Sequence, residues 1–435
     1  MTIITDEVQP VRVTKPGMNP LFIIGALFFV FGFITWLSSV LIPYLQIACE
    51  LNNFESYLVA FSFYVSYLVM AIPSGWFLKL TGFKNGMSYG LLIIAVGSLI
   101  FIPAALTRTY GLFLFGLFVQ GTGLAVLQTA SNPYVAVLGP LESAARRISI
   151  MGICNGIAGA IAPVILGAVI LSDADKIKTD LSAMSAQQRI MELDSLAREV
   201  ILPYVLIFLV LGALAFIVYR SSLPDIDTDT EDDLNGVVNM DKTSILQFPH
   251  LLLGVLSLFC YVGAEVIAGN TIVGYANWQG MNLSDAKFFT SLTLIGMLGG
   301  YFVGIVCIPR YVSQENALRI SAVLGIILTL AVLHTNGVTS VLFVALLGIA
   351  NSLIWPSIWP LAIADLGRFT KIGSSLLVMA IVGGAVIPLL YGYVADLSDL
   401  RTAYWLLVPC YSAVLFYALW GYKIRAVRNT LNEFK

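Results

Sequence analysis

Twelve long apolar segments limit the folds open to this chain more than any other feature of its sequence. A membrane-spanning helix needs about 20 mostly apolar residues. Segments of this kind cover residues 20–46, 54–80, 86–106, 109–137, 147–171, 201–220, 247–279, 286–309, 316–335, 338–364, 372–395 and 402–424. Only 11% of the 435 residues are charged, against roughly 25% in soluble domains. We therefore predict an all-α integral membrane protein with twelve transmembrane helices in a lipid bilayer.

A short pattern that occurs twice divides the chain. Residues 158–167 align without gaps on residues 383–392, at an offset of 225 residues. Repeats that contain an even number of spans keep the same orientation in the membrane, so we predict two parallel six-helix bundles. The predicted domains are a tail at 1–19, a first bundle at 20–221, an acidic linker at 222–246, a second bundle at 247–424 and a tail at 425–435.

The distribution of basic residues predicts the orientation. With an even number of spans both termini share one side of the membrane, and most of the 23 Lys and Arg residues fall on that side. Cytoplasmic loops carry the excess of basic residues in membrane proteins. We therefore expect both termini in the cytoplasm and interpret the chain as a multi-pass protein of a bacterial inner membrane. Residues 173–199 mix charged and apolar positions, which predicts a short amphipathic helix beside the membrane.

Composition argues against several classes of function. The net charge of −2 lacks the basic excess typical of nucleic-acid binding. The five cysteines have neither metal-ligand nor redox spacing, and the glycine-rich phosphate loop of ATP-driven pumps is missing. We expect no cofactor, no structural metal and no enzymatic activity, since no nucleophile–base set lies within the apolar segments. Two six-span repeats joined by an acidic linker are instead typical of a secondary transporter.

Polar side chains inside the apolar segments are the candidates for substrate binding. Such groups are costly at membrane depth unless they face a partner or a water-filled cavity. The predicted binding residues are Trp36, Gln128, Asn132, Asn155, Glu265, Asn270, Asn351 and Trp355. Amides both donate and accept hydrogen bonds, and Trp rings cover C–H faces, so this set suits a sugar. The alternative for each amide, and for Gln120, is a structural hydrogen bond between helices.

Glu265 is the one acid well inside an apolar segment. A carboxylate there needs a cation, a proton or hydrogen-bond donors. Ser39, Gln128 and Glu265 are the predicted ligands of a coupling cation. A second charged set at the cytoplasmic ends of the segments is predicted to form a gate that does not touch substrate. Its members are Glu142, Arg146, Arg147, Asp365 and Arg368.

Four motifs together carry a resemblance to a known family. They are Thr35-Trp-Leu37 with Leu41-Ile-Pro-Tyr44, Gln128-Thr-Ala-Ser-Asn-Pro133, Cys260-Tyr-Val-Gly-Ala-Glu265, and Lys371-Ile-Gly-Ser-Ser375 with Gly383-Gly384. At these positions, and over nearly its whole length, the sequence resembles the fucose–galactose–glucose symporter family of the major facilitator superfamily. The resemblance implies the twelve-span fold of that superfamily and a sugar substrate.

Two departures from the family pattern bear on the coupling ion. Proton-coupled fucose permeases have an aspartate and a glutamate where this chain has Ser39 and Gln128. The sequence is in this respect similar to the sodium-driven glucose/galactose branch, which has Gln and Glu at the positions of Gln128 and Glu265. That branch tends to show Trp-Leu-Asn-Gly in its first helix, whereas this chain has Trp36-Leu-Ser-Ser39.

The sequence therefore predicts a monomeric, sodium-coupled symporter that carries a hexose such as glucose or galactose into the cell by alternating access. Its predicted partners are the sugar, a monovalent cation and the lipid bilayer. One alternative is proton coupling through Glu265, with fucose or another sugar such as N-acetylglucosamine. An alternative from another class is a membrane sugar sensor that does not transport.

Overall fold

The computed structural model describes residues 20–137, 144–171, 184–221, 223, 244–308, 310–366 and 369–428, and every regular element in these ranges is a helix. Twelve helical stretches among them are long and apolar enough to cross a membrane. This agrees with the twelve segments predicted from the sequence, to within a few residues at most ends.

Among the residues that the structure describes, the first half contains spans 1 to 6 and one short helix outside them. Span 1 consists of Pro20–Trp36 and Ser38–Ala48, span 2 of Asn53–Thr81, span 3 of Phe83–Thr107, span 4 of Tyr110–Val137, span 5 of Ala144–Ile170 and span 6 of Ile201–Arg220. The predicted amphipathic helix is present as Ala186–Arg198, where Ser185 and Gln188 form a capping box. A capping box satisfies amide groups that a helix start leaves unpaired, which explains why this helix begins where it does.

The second half contains spans 7 to 12. Span 7 consists of Pro249–Asn270 and Ile272–Trp278, span 8 of Leu283–Cys307, span 9 of Gln314–His334 and span 10 of Gly337–Ser352 and Ile354–Ile363. Span 11 consists of Thr370–Met379 and Gly383–Leu397, with a 3-10 turn between them. Span 12 is Leu407–Leu419, with the 3-10 segment Thr402–Leu406 before it and Gly421–Arg428 after it. Spans 1, 7 and 10 break at Leu37, Thr271 and Leu353. The sequence did not predict these breaks, because none of the three residues is a proline or a glycine.

The even number of spans gives the bundle two distinct ends. The proximal end carries the start of span 1, the end of span 6, the start of span 7 and the end of span 12. The distal end, opposite the termini, carries the short connections 49–52, 279–282 and 398–401.

Very close helix crossings that require a glycine occur in both halves. A Cβ on Gly32 of span 1 would lie 1.9 Å from the backbone oxygen of Asn155 in span 5. A Cβ on Gly383 of span 11 would lie 1.9 Å from the backbone oxygen of Phe259 in span 7. Small residues that let helix backbones approach are a common basis of membrane helix packing. The two crossings therefore fix the inner helices of the two halves in equivalent ways.

Replacing Gly32 with Ala should destabilise the protein, because the added methyl group forces the helices of spans 1 and 5 apart. Overpacking of this kind typically costs about 1–3 kcal/mol. The matched control is Gly212→Ala in span 6, where nothing lies within 4 Å of the added Cβ. Thermal unfolding of the two detergent-solubilised variants should show a lower melting temperature for Gly32→Ala only, and equal melting temperatures would contradict the crossing.

The seams between the halves explain the sequence repeat. Spans 5 and 8 form one seam and spans 2 and 11 form the other. A Cβ on Gly159 would lie 3.1 Å from Leu294, and one on Gly167 would lie 3.1 Å from Lys287. At the offset of 225 residues found in the sequence, Gly384 and Gly392 occupy the same places in the second seam. We call these four glycines the seam notches.

The second seam repeats the arrangement of the first. A Cβ on Gly384 would lie 3.0 Å from the ring of Tyr64, and one on Gly392 would lie 2.5 Å from the ring of Tyr57. Each seam notch thus receives a side chain from the opposite half of the protein. The repeated glycines are therefore a property of the contact between the halves, which sequence alone could not show.

Candidate functional site

Glu265 of span 7 lies half-buried near the centre of the bundle, within electrostatic reach of tyrosines from both halves. Tyr64 comes from span 2 of the first half. Tyr261 lies one helical turn before Glu265 on span 7, while Tyr301 and Tyr411 come from spans 8 and 12. Phenolic hydroxyls can donate to a carboxylate and accept from a ligand hydroxyl. This tyrosine cluster therefore gives Glu265 neutral partners.

A second group of predicted residues lies beside the tyrosine cluster. The buried side chain of Asn351 accepts a hydrogen bond from Tyr411 through its Oδ1 atom, at 2.8 Å. The ring of Trp355 stacks on Trp359 at 5.5 Å and lies 6.5 Å from the ring of Tyr261. Glu265, Asn351 and Trp355 therefore belong to one connected set of polar and aromatic groups. These contacts bring together three of the eight predicted binding residues.

Trp36 occupies the contact between the halves. Its ring packs directly on Gly159 of span 5 and Gly269 of span 7, so that a Cβ added to either glycine would clash with the ring. Leu294 and Met297 of span 8 form an apolar cluster with it, and the side chain is 6% exposed. In this conformation the indole therefore packs on protein, and its role in stacking on a sugar stays a prediction.

The remaining amides of the first half have separate positions. Gln128 and Asn155 are half-buried in spans 4 and 5. Gln120 donates to Ser98 of span 3 at 2.8 Å, so it makes a structural bond between helices. The side chain of Asn132 lies outside those that the structure describes. The binding roles of Gln128, Asn132 and Asn155 stay predictions.

The predicted cation ligands are not joined in the described part of the chain. The Ser39 hydroxyl is fully buried and donates to the backbone oxygen of Trp36 at 2.8 Å. Among the described contacts, none connects Ser39 or Gln128 to Glu265. A sodium site needs several oxygen ligands around one point, and the structure brings no such set together from these three residues.

The predicted cytoplasmic gate falls mostly outside the described residues. This applies to Glu142 and Arg368, and to the side chains of Arg146 and Arg147. Asp365 is exposed at the proximal end of span 10 with a left-handed backbone, φ 61°, a conformation that Asp tolerates better than most residues.

Sequence reasoning missed a contact that joins the two halves at the distal end. Asp396 at the end of span 11 accepts hydrogen bonds from the backbone and side-chain amides of Asn53, at 3.0 and 2.8 Å, and from the backbone amide of Phe54, at 2.7 Å. A carboxylate at a helix N-terminus satisfies unpaired amides and interacts favourably with the helix dipole. We call these three residues the distal latch. Asp396 directly follows the apolar segment 372–395, but the sequence does not indicate that it caps a helix of the other half.

The tyrosine cluster was also absent from the prediction. Its residues are spread over spans 2, 7, 8 and 12, and Tyr in an apolar segment resembles an ordinary core residue. The usable signal is that Tyr261 lies four residues before Glu265, on the same helix face.

Comparison with known proteins places this site in a family. The sequence matches the family model of the Major Facilitator Superfamily over residues 24–374. The chain belongs to this superfamily. The glucose/galactose transporter of Brucella abortus biovar 1 (strain 9-941) is 36% identical over 400 residues, which cover 91% of this chain and 92% of that protein. The L-fucose-proton symporter of Escherichia coli (strain K12) is 31% identical over 404 residues, which cover 92% of each protein.

A solved structure agrees with this placement. FucP, a major facilitator superfamily transporter in the outward conformation, superposes with a TM-score of 0.69 at 29% identity, covering 93% of this chain and 99% of that one. These findings confirm the predicted membership of the fucose–galactose–glucose symporter family and the twelve-span fold. The protein is a multi-pass sugar transporter, and its named relatives are transporters, which agrees with the prediction that it is not an enzyme.

Proposed function

We propose that this protein is a proton-coupled symporter that brings a hexose of the glucose or galactose type into the cell by alternating access. The observation that carries the proposal is the position of Glu265, a carboxyl group within electrostatic reach of tyrosines that come from both halves. Because the Glu265 carboxyl group has neighbours in both halves, its surroundings change when the halves move relative to each other. In this proposal Asn351 and the tyrosine hydroxyls bind sugar hydroxyls, and Trp355 covers a C–H face of the ring.

We propose a proton as the coupling ion, in place of the sodium predicted from the sequence. Relatives whose names give a coupling ion include two L-fucose-proton symporters, and the comparisons give sodium no support. The described residues also bring no second acid or oxygen-rich ligand set to Glu265. One carboxylate among neutral tyrosines can exchange a proton, whereas sodium needs additional oxygen ligands.

The proposed transport cycle starts from the arrangement of the seams. The distal latch and the seam notches join the halves toward the distal end. With the termini in the cytoplasm, as the basic residues predict, this conformation is closed toward the outside. Rocking of residues 20–221 against 247–424 would open the distal end, and sugar and proton together would favour the return.

Uptake by proteoliposomes tests the proposal. We expect an inward proton gradient to drive accumulation of radiolabelled D-glucose or D-galactose, and a sodium gradient without a proton gradient to give none. L-Fucose and N-acetylglucosamine serve as comparison substrates. Accumulation driven by sodium alone would overturn proton coupling, and saturable binding without accumulation under either gradient would favour a sensor.

A further inference from the structure

A cavity of about 650 Å³ lies at the distal end, separate from the tyrosine cluster. Gln46, Asn53 and Tyr57 line it from the first half, and Asn270, Gly274 and Ser398 line it from the second. Its volume falls within the roughly 300–1,000 Å³ typical of small-molecule sites. Because both halves supply its walls, we call it the distal cavity and expect it to exist only while the distal end is closed.

Asn270 is the most unusual residue of the distal cavity. Its side chain is 1% exposed, and neither its Oδ1 nor its Nδ2 atom has a hydrogen-bond partner among the described residues. A buried amide without partners is destabilising, and such groups in native proteins usually have a partner of another kind. The residue needs both a donor and an acceptor, which a ligand hydroxyl provides in one group.

Gln46 offers a complementary group from the other half. Its Nε2 atom donates to Asn53 Oδ1 at 3.1 Å, which leaves the Gln46 carbonyl oxygen to accept from a ligand. Asn53 in turn donates to Asp396 of the distal latch at 2.8 Å. The amide wall of the cavity is therefore held in place by the contact that closes this end.

Charges around the distal cavity are compensated by the protein itself. Glu50 pairs with Arg189. Burial of Asp399 would raise its pKa, but hydrogen bonds from Thr402 and from the amide of Arg401 outweigh this and lower the pKa. Asp399 therefore stays ionised near neutral pH beside Arg401. A cavity with paired charges and unpaired amides suits a neutral, hydroxyl-rich ligand better than an ion.

We propose that the distal cavity is a second binding site for a neutral monosaccharide, which Gln46 and Asn270 hold between the two halves while the distal end is closed. The site differs from the transport site around Glu265. It rests on the proposed function only in the choice of sugar as ligand. A sugar bound there stabilises the closed distal end, because opening would separate its two amide partners.

Protection of a cysteine from labelling tests this site. Ser398→Cys is introduced into the full-length protein with its five native cysteines replaced, and the rate of reaction with a water-soluble maleimide is measured with D-glucose, D-galactose or L-fucose. The same measurement is made with Trp355→Ala, which removes the proposed ring contact at the transport site. We expect a transported sugar to slow labelling in both backgrounds. Gln46→Leu and Asn270→Leu should each raise the half-protecting sugar concentration by about two- to tenfold, as expected for one lost hydrogen bond.

Controls separate this inference from the proposed function. Betaine at the same osmolarity corrects for solvent effects, and Asn316→Leu, an amide at the start of span 9, should leave protection unchanged. Absence of protection by all three sugars would overturn the distal site. Protection that is lost in Trp355→Ala but retained in both leucine variants would overturn it as well, because labelling would then report on the transport site. Uptake of the same sugars by the same preparations reports independently on the proposed function.

Discussion

Glu265→Gln should abolish accumulation of sugar while leaving sugar binding and sugar exchange in place. Gln keeps the size and the hydrogen-bonding capacity of the side chain but carries no titratable proton. One proton per sugar across a gradient of about one pH unit supports roughly tenfold accumulation, since 1.4 kcal/mol corresponds to a factor of ten. The wild type should therefore approach an internal-to-external sugar ratio of about ten, and the variant should stay near equality.

Two assays on one preparation separate coupling from binding. Proton-driven uptake measures accumulation, and exchange of internal unlabelled sugar for external labelled sugar measures binding and rocking without a gradient. Glu315→Gln, in the first turn of span 9, is the matched control and should behave as the wild type. Accumulation by Glu265→Gln at the wild-type ratio would show that Glu265 does not carry the proton.

Asp396→Asn should shift the protein toward conformations with an open distal end. Asp396 accepts three hydrogen bonds from Asn53 and Phe54 at the start of span 2, and Asn retains one carbonyl acceptor and no charge. Hydrogen bonds to a charged group contribute about 1.5–3 kcal/mol, but Asp396 is exposed, and solvent reduces such contributions. A loss of about 1–2 kcal/mol changes the ratio of closed to open molecules by about 5- to 30-fold.

Distances between spin labels measure this shift. Labels on Thr107→Cys and Leu397→Cys place one probe at the distal end of each half, in a background without the native cysteines. We expect a longer distance to gain population in Asp396→Asn. Asp285→Asn, an acid in the first turn of span 8, is the control, because the described hydrogen bonds and ion pairs give it no contact with the first half. Identical distance distributions for Asp396→Asn and the wild type would rule out the latch.

The sequence predicted the elements better than their contacts. Span number and approximate bounds follow from the length of apolar segments, because a bilayer fixes the length of a helix that crosses it. Glu265 could also be singled out from sequence, since an acid at membrane depth is costly unless it is used, and its role stays a prediction. These conclusions need only the properties of single residues or single helices.

Contacts between distant spans could not be predicted in this way. The approach of Asp396 to Asn53 joins residues 343 positions apart, and the position of Trp36 between Gly159 and Gly269 depends on how two bundles meet. The predicted cation ligands depend on packing in the same way, and their role stays a prediction. Ser39, Gln128 and Glu265 are each plausible oxygen donors, but only packing decides whether their atoms surround one point.

The seam notches restrict how the halves can move. In each seam the notches are eight residues apart, about 12 Å along a helix at 1.5 Å per residue. Sliding one helix past the other by a single turn, about 5.4 Å, would press Tyr64 or Leu294 against residues that carry a Cβ atom. If the helices tilt instead, each side chain moves away from the space beside its glycine and returns to the same glycine afterwards. The repeated glycines therefore favour rotation over translation between the halves, and they keep the two helices of each seam in a constant register through every cycle.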